Sequence, residues 1–589
     1  MNDFINKMGE YWSQLSFDKL GDILTYHHNA PILFSSGLFF FLFIGFLIIY
    51  MSLRKHLLTR IIYVTLFSIY FYYKSSGLFF FLLLFVATSD FCIAQCMAKT
   101  ASRWKRKAWV VLSLCIDLGL LGYFKYFNFL REIMAAVAHE LGYQLGNTSL
   151  QNITYQPLDI FLPVGISFFT FQTISYVIDV YRGRIGPLRR WIDYVFYVSF
   201  FPQLVAGPIV RARDFIPQIY KTPVVTRAEF GEGLFLVLCG LFKKTVISDY
   251  ISLNFVDRIF DAPLLYTGVE NLLGVYGYAL QIYCDFSGYS DMAIGIALLL
   301  GFRFNVNFDS PYQSATITEF WRRWHISLSS WLKDYLYISL GGNRKGKIRT
   351  YINLLITMLL GGLWHGASVS FILWGVLHGV ALAVHKFVMN HFSSFKPLGS
   401  EMKPWRRVIG VLVTFHLVCF GWILFRADSM QTVGEMLTQI FTNFHPEVFT
   451  QFVMGYKGVF VLMVVGYILH FLPKSAENSL QAVVTRSCAG GDAGDCDLCC
   501  RAVQECRGAA IYLLPVLTLF PAVSGIRWKQ SLITKALPER GGLLLLNVGG
   551  IRVRLAGRTS RFPSLSSVPG SDCYSSRCVS SAGSRCSGW

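Results

Sequence analysis

Pro31 to Leu53 is a run of 23 residues without an Asp, Glu, Lys or Arg. As a helix it is long enough to cross the ~30 Å hydrocarbon layer of a bilayer with some tilt. The pattern recurs along the chain: Ile61–Tyr73, Ser75–Ser89, Ala108–Ile116 continuing past Asp117, Ile160–Ile178, Tyr194–Val210, Leu234–Phe242, Leu272–Cys284, Met292–Phe302, Tyr351–Trp364, Ala367–Val384, Val408–Phe425 and Gly458–Leu472. Several runs are shorter than a full span and interrupted by glycine, as segments are that line a cavity or re-enter the membrane. The expected fold is all-α: a polytopic membrane bundle of about 10–12 helical segments, not all of them crossing.

Charge agrees with that placement. Only 15% of the 589 residues are charged, against ~25% in soluble domains. The 51 Phe, 30 Tyr and 13 Trp suit lipid-facing surfaces and interfacial belts. The net charge of +19 is not a nucleic-acid footprint, because the basic residues cluster between apolar runs. Arg54 to Arg60, Arg103 to Lys107 and Arg182 to Arg190 recur after alternate groups of spans, with further clusters at Arg344 to Arg349 and Arg406-Arg407. The positive-inside rule puts the first three on the cytoplasmic side and the N-terminus outside. The first 30 residues show no basic segment followed by an apolar core, so no cleavable signal peptide is expected.

The chain reads as a membrane domain, residues 1–487, followed by an anomalous tail, residues 488–589. Six cysteines (Cys92, Cys96, Cys115, Cys239, Cys284, Cys419) scatter through the apolar body as small hydrophobes. The other eight fall between Cys488 and Cys586, in a stretch rich in Gly, Ser and Arg without periodicity. Cys496, Cys499 and Cys500 invite a zinc reading, but the last histidine is His470, and no metal site is expected. The tail reads either as disorder or as a shifted frame. Codons for Cys488 to Leu517, with freely chosen third bases and read one nucleotide later, give an apolar helix-like run and then a stop. Residues beyond Ser487 are expected to be a frameshift product.

Chemistry concentrates in two blocks. Gly361-Gly362-Leu363-Trp364-His365-Gly366 places a histidine between two uncharged segments. Ionisable groups at such depth face a cavity or the bundle interior, and imidazole serves as a base near neutral pH. A hydrogen-bonded packing role for His365 remains the plain alternative. Upstream, Trp321, Trp324, Leu328 and Trp331 form one stripe at helical spacing with His325 beside it. That block is either an amphipathic surface helix or a segment folded inward that brings His325 toward His365, with Arg323 alongside. A third element, Tyr283 to Ala293, sets Asp285 and Asp291 between apolar runs with Ser287 between them. These carboxylates line a polar passage or neutralise nearby arginines, and a structural hydrogen-bond network is favoured over direct chemistry.

Together these blocks, with Pro163 to Gln172 and Phe201 to Pro208, resemble the membrane-bound O-acyltransferase family in its bacterial alginate O-acetylation branch. The motifs lie in family order over roughly residues 34–475. The resemblance implies a helical bundle around a thin funnel with a tunnel through the membrane. It maps the family's invariant histidine onto His365 and its second characteristic histidine onto His325. Trp324, Trp364, Asp285, Ser287 and Arg323 fall in the matching motifs as candidate substrate or tunnel residues. It also implies an acyl thioester donor, acetyl-CoA or another, with no tightly bound cofactor. The partners implied are lipids, a polysaccharide acceptor and an extracytoplasmic acetyltransferase resembling SGNH hydrolases, and the location is the bacterial inner membrane. The tail departs from the family, which has one more apolar segment there.

Acyl transfer to a hydroxyl needs a base for the alcohol proton and donors for the oxyanion. His365 suits the first role; His325, the Trp324 indole or an asparagine suits the second. No Gly-x-Ser-x-Gly elbow suggests a serine nucleophile. The competing readings are D-alanyl transfer to a teichoic-acid-like polymer, a transporter, and a scaffold for a secreted acetyltransferase. No internal repeat of the transporter kind is visible.

Overall fold

The computed structural model describes residues 17–27, 31–145, 156–392, 403–476, 478–479, 481–482, 546–548 and 551–553. The chain divides into two units, Met1–Leu513 with Trp589, and Leu514–Gly588. In the second, the described part is an antiparallel pair of three-residue strands, Leu546–Val548 and Ile551–Val553, with Asn547 opposite Arg552. The rest of the expected tail, including the Cys496-Cys499-Cys500 cluster, lies outside the described residues.

The first unit is helical. Its elements used below are α1 (Gly37–Leu53), α2 (Leu57–Ser76), α3 (Phe80–Lys99), α4 (Arg103–Leu121), α5 (Phe127–Leu145), α6 (Ile166–Tyr181), α7 (Arg227–Leu241), α8 (Gly268–Leu299), α9 (Ile317–Arg323), α10 (Ile326–Trp331), α11 (Lys347–His365), α12 (Val369–His391), α13 (Pro404–Arg426) and α14 (Lys457–Phe471). Side-chain caps start several of them. Ser36 accepts from the Phe39 N–H and Ser368 from the Phe371 N–H, while Thr226 with Glu229 and Thr267 with Glu270 form capping boxes.

By length and apolarity alone, four helical stretches among the described residues can cross a membrane: Leu57–Lys99, Arg103–Gln144, Val369–His391 and Pro404–Arg426. A fifth is the pair Pro446–Gly455 and Lys457–Phe471, bent by 96°. Leu57–Lys99 contains two 20-residue helices, α2 and α3, meeting at Gly77 with φ +61°. The other expected segments are present as helices that are shorter, such as the 17-residue α1, or that carry charges paired within the bundle. Phe41, Leu66, Phe81 and Val413 point outward, as side chains facing lipid do.

Two readings of the sequence change here. Leu272–Cys284 and Met292–Phe302 are parts of one 32-residue helix, α8, in which Asp285 and Asp291 are interior positions. The helix continues because Lys244 reaches Asp285 at 2.5 Å and Lys243 reaches Asp291 at 2.7 Å. Lysines, not arginines, neutralise these carboxylates. Glycines hold α7 and α8 in backbone contact: a Cβ on Gly240 would run into the Gly288 carbonyl, and one on Gly288 into that of Gly240. The second change concerns the tryptophan block, which is two short helices, α9 and α10, broken at Trp324 and His325.

The interior holds three apolar clusters. One gathers α1 to α4 with Phe200, Phe201 and Phe215; a second surrounds α8, α9, α12 and α13. Between them a small cluster joins Phe168, Phe171, Phe286, Trp331, Tyr335 and Trp364. The candidate site lies along this junction.

Candidate functional site

Helix α9 begins at Thr316, whose side chain accepts from the Glu319 N–H, and ends at Arg323. Trp324 is extended, and His325 then adopts φ 43°, ψ 56° before α10 resumes. A left-handed conformation costs a non-glycine residue about 1–2 kcal/mol, and such strain persists where surrounding structure fixes it. Asn307 does the fixing. Its carbonyl accepts from the Ile326 N–H at 2.8 Å, and its Oδ1 accepts from the Ser327 N–H at 3.1 Å and the Ser327 hydroxyl at 2.9 Å. The block therefore turns inward, and the surface-helix alternative does not describe it. Trp324, His325 and Leu328 are all buried.

The same asparagine sets the imidazole. Because the Ser327 N–H can only donate, the Asn307 oxygen must face it, and its Nδ2 donates to the Ser290 hydroxyl at 3.0 Å. His325 Nδ1 lies 3.2 Å from that oxygen, so Nδ1 carries the proton and donates. Nε2 is left as the acceptor, buried and without a partner among the described residues. The ring meets Phe286 edge-on at 4.6 Å and lies 6.2 Å from the Trp364 ring.

His365 closes α11, and Gly366 after it is extended. Helices α11 and α12 run in backbone contact, since a Cβ on Gly362 would strike the Phe371 carbonyl and one on Gly375 that of Met358. The approach sets Trp374 edge-on to His365 at 5.2 Å, with Trp364 at 4.9 Å and Phe425 at 5.1 Å. Among the described residues no hydrogen bond holds the His365 imidazole; three aromatic rings do.

A small cavity, with about 10 Å³ of free space, lies between Ile282, Phe286, Trp324, His365, Trp374, Trp422 and Phe425. His365 and Trp324 are on its wall. His325 stands one ring behind, against Phe286 and Trp364. The indole N–H groups are mostly committed: Trp422 donates to the Tyr312 hydroxyl at 3.1 Å, Trp331 to the Phe171 carbonyl at 2.9 Å and Trp364 to the Ser167 carbonyl at 3.4 Å. Among the described residues Trp324 makes no such bond and the buried Trp374 N–H has no partner. The wall is thus apolar with one imidazole and two available donors, a small set of the kind that orients a ligand.

Four of the sequence candidates, His365, His325, Trp324 and Trp364, come together here. Of these, His365 and Trp324 line the cavity while His325 and Trp364 pack behind it, and the other three candidates lie apart from it. Asp285 is held by Lys244, and Ser287 is buried within α8. Arg323 pairs with Glu319 at 2.9 Å and donates to the Asp309 carbonyl at 3.3 Å. Asn307, Trp374, Trp422 and Phe425 were not singled out from the sequence. Asn307 sits in a loop without a motif, and the three aromatics carry no mark that separates them from the many others.

Comparison with known proteins bears on this cavity directly. The model of the membrane-bound O-acyltransferase family matches residues 190–426, the span that supplies every residue on its wall. A probable alginate O-acetylase of Pseudomonas syringae pv. tomato is 40% identical over 418 residues, 70% of this chain and 75% of that protein. A peptidoglycan O-acetyltransferase of Helicobacter pylori is 35% identical over 449 residues, 71% of this chain and 81% of its own. A teichoic acid D-alanyltransferase of Bacillus subtilis is 29% identical over 287 residues, 46% of this chain and 70% of its own. With relatives of that identity and coverage, a multi-pass helical bundle and a histidine-lined cavity, this chain belongs to the membrane-bound O-acyltransferase family and is a membrane acyltransferase.

Proposed function

We propose that this enzyme moves acetyl groups from a cytoplasmic thioester donor, acetyl-CoA or a similar acyl thioester, to a hydroxyl of an exported polysaccharide or cell-wall polymer. The bacterial inner membrane is its place, and an extracytoplasmic SGNH-hydrolase-like acetyltransferase is its partner in delivering the group. The observation that carries the reading is His365 on the wall of a small aromatic cavity, with His325 one ring away. With about 10 Å³ of free space the cavity holds a water-sized group, so an acyl chain enters only as the surrounding rings move apart. Identity to O-acetylating relatives, higher and longer than to the D-alanylating one, favours acetyl over D-alanyl transfer.

The chemistry balances within the site. The acceptor hydroxyl oxygen attacks the thioester carbonyl carbon while His365 takes its proton. The oxyanion so formed accepts from Trp324 and Trp374 N–H groups in a site with little water. Collapse breaks the C–S bond, and the proton passes from His365 to the departing sulfur. His325, its Nε2 unprotonated, accepts a hydrogen bond from the substrate or from a bound water and so aligns it.

The test compares a gene deletion complemented with the full chain or with His365→Ala, measuring acetate released by mild alkali from envelope polymer. Loss of a positioned base costs roughly 100- to 10,000-fold, so the variant should restore no detectable ester. Equal restoration by both removes His365 from the mechanism. Release of D-alanine in place of acetate moves the assignment to the D-alanylating branch.

A further inference from the structure

The last carbonyls of a helix have no partner within it, and in α11 they belong to the residues beside His365. Gly362 finds one, accepting from the Gly366 N–H at 3.4 Å. The next two are taken by consecutive residues from a distant part of the chain. Tyr126 donates its hydroxyl to the Leu363 carbonyl at 2.6 Å, and Lys125 donates its ammonium to the Trp364 carbonyl. Both lie in a π-helical turn, Gly122–Tyr126, between α4 and α5. Such wider turns are uncommon and occur frequently at functional sites. Here the turn aims neighbouring side chains at neighbouring carbonyls.

Lys125 is also 3.4 Å from the Ser167 hydroxyl on α6, and its ammonium lies 5.7 Å from the centre of the Trp364 ring. It belongs to Arg103–Gln144, one of the stretches able to cross a membrane. A cation inside such a segment is costly and is retained where it has work to do. The negative end of the α11 dipole is a favourable seat for it. Among the described residues the His365 imidazole, by contrast, is held by rings alone, so its backbone is the part that can be fixed.

We infer that Lys125 and Tyr126 are positioning residues, a two-point tether that fixes the C-terminal end of α11 and with it the orientation of the His365 imidazole over the cavity. This rests on the acyltransferase mechanism proposed above only for its kinetic consequence; the tether itself is a matter of geometry. Neither side chain touches the cavity wall, so losing them misaligns the base and leaves the substrate contacts in place. A misplacement of about 1 Å costs on the order of 100-fold in rate.

The experiment uses the purified full chain in detergent or proteoliposomes, with acetyl-CoA and a soluble polysaccharide acceptor as probes. Lys125→Met should lower kcat roughly tenfold to hundredfold with KM for either substrate little changed. Lys125→Arg, which keeps charge and donor, should recover most of that loss, and Tyr126→Phe should show a smaller fall of the same kind. In a His365→Ala background Lys125→Met should cost nothing further, because there is no base left to aim. A loss of equal size in that background, or an unchanged kcat in Lys125→Met, overturns the inference. Hydrogen exchange supplies a second readout independent of turnover. Amides 363–367 should exchange faster in Lys125→Met and Tyr126→Phe than in the parent chain, and unchanged exchange overturns the tether even if no acetyl transfer is seen. Absence of transfer by the parent chain counts against the acetyl assignment and leaves the exchange result to decide the tether.

Discussion

Asn307 does at the scale of one residue what a motif search cannot see. A single side-chain oxygen serves the Ser327 N–H, the Ser327 hydroxyl and His325 Nδ1, which holds a left-handed histidine and selects its tautomer together. Replacing it by alanine leaves three donors without an acceptor, in a buried setting. Partners that orient a functional imidazole typically matter by 10- to 100-fold. Asn307→Ala should therefore lower kcat about tenfold to hundredfold, checked with the same acetyl-transfer measurement. An unchanged rate would show that His325 keeps its orientation without the asparagine. His365 was legible because an imidazole between uncharged runs is conspicuous, and His325 through the tryptophan stripe beside it; Asn307 was not, since nothing local tells which loop amide will meet a histidine 18 residues later.

The helices divide in a similar way into what periodicity can and cannot reveal. Long uncharged runs announce α1, α12 and α13 directly, and those helices lie within Pro31–Leu53, or cover most of Ala367–Val384 and Val408–Phe425. The tryptophan stripe keeps helical spacing across a break, because neither Gly nor Pro marks the turn at His325 and the clamp comes from elsewhere in the chain. The reverse occurs in α8, where two carboxylates separate what reads as two apolar runs until lysines from the α7 side are brought against them. Packing of α7 on α8 turns on glycine. Gly288→Leu would push a side chain into the Gly240 carbonyl and the Lys243 and Lys244 backbone region. Overpacking of this kind costs about 1–3 kcal/mol or more. The variant should lose thermal stability and monodispersity in detergent, read by size-exclusion chromatography after heating, and wild-type behaviour would show that the two helices can separate without penalty.

For the whole molecule, the expectation of an all-helical, polytopic bundle describes the first unit, and the family resemblance agrees with the relatives found. The cavity wall was legible only in part. Aromatic residues are so numerous that Trp374, Trp422 and Phe425 could be picked out only once α12 and α13 were folded beside α11. Lys125 carried a readable signal, a cation in an apolar stretch, although its partner carbonyl at Trp364 lies 239 residues away. The site thus joins two histidines visible in the sequence to an asparagine and aromatic rings that only the fold picks out.

The paired charges between α7 and α8 have a consequence for biogenesis. Neither helix is among those apolar enough to cross a membrane alone, and a charge at the centre of a spanning segment costs about 2.5–3.5 kcal/mol at the translocon. Lys243 and Lys244 lie in the π-helical turn that continues α7, Asp285 and Asp291 are carried by α8, and each ion pair joins the two sides. The pairing predicts that α7 and α8 integrate efficiently only as a unit. Glycosylation-site reporters fused after α7 alone and after α8 should show inefficient integration in the first case and efficient integration in the second. Charge reversal at Asp285 and Asp291 together should abolish the difference, and efficient integration of α7 by itself would show that the pairing forms only after insertion.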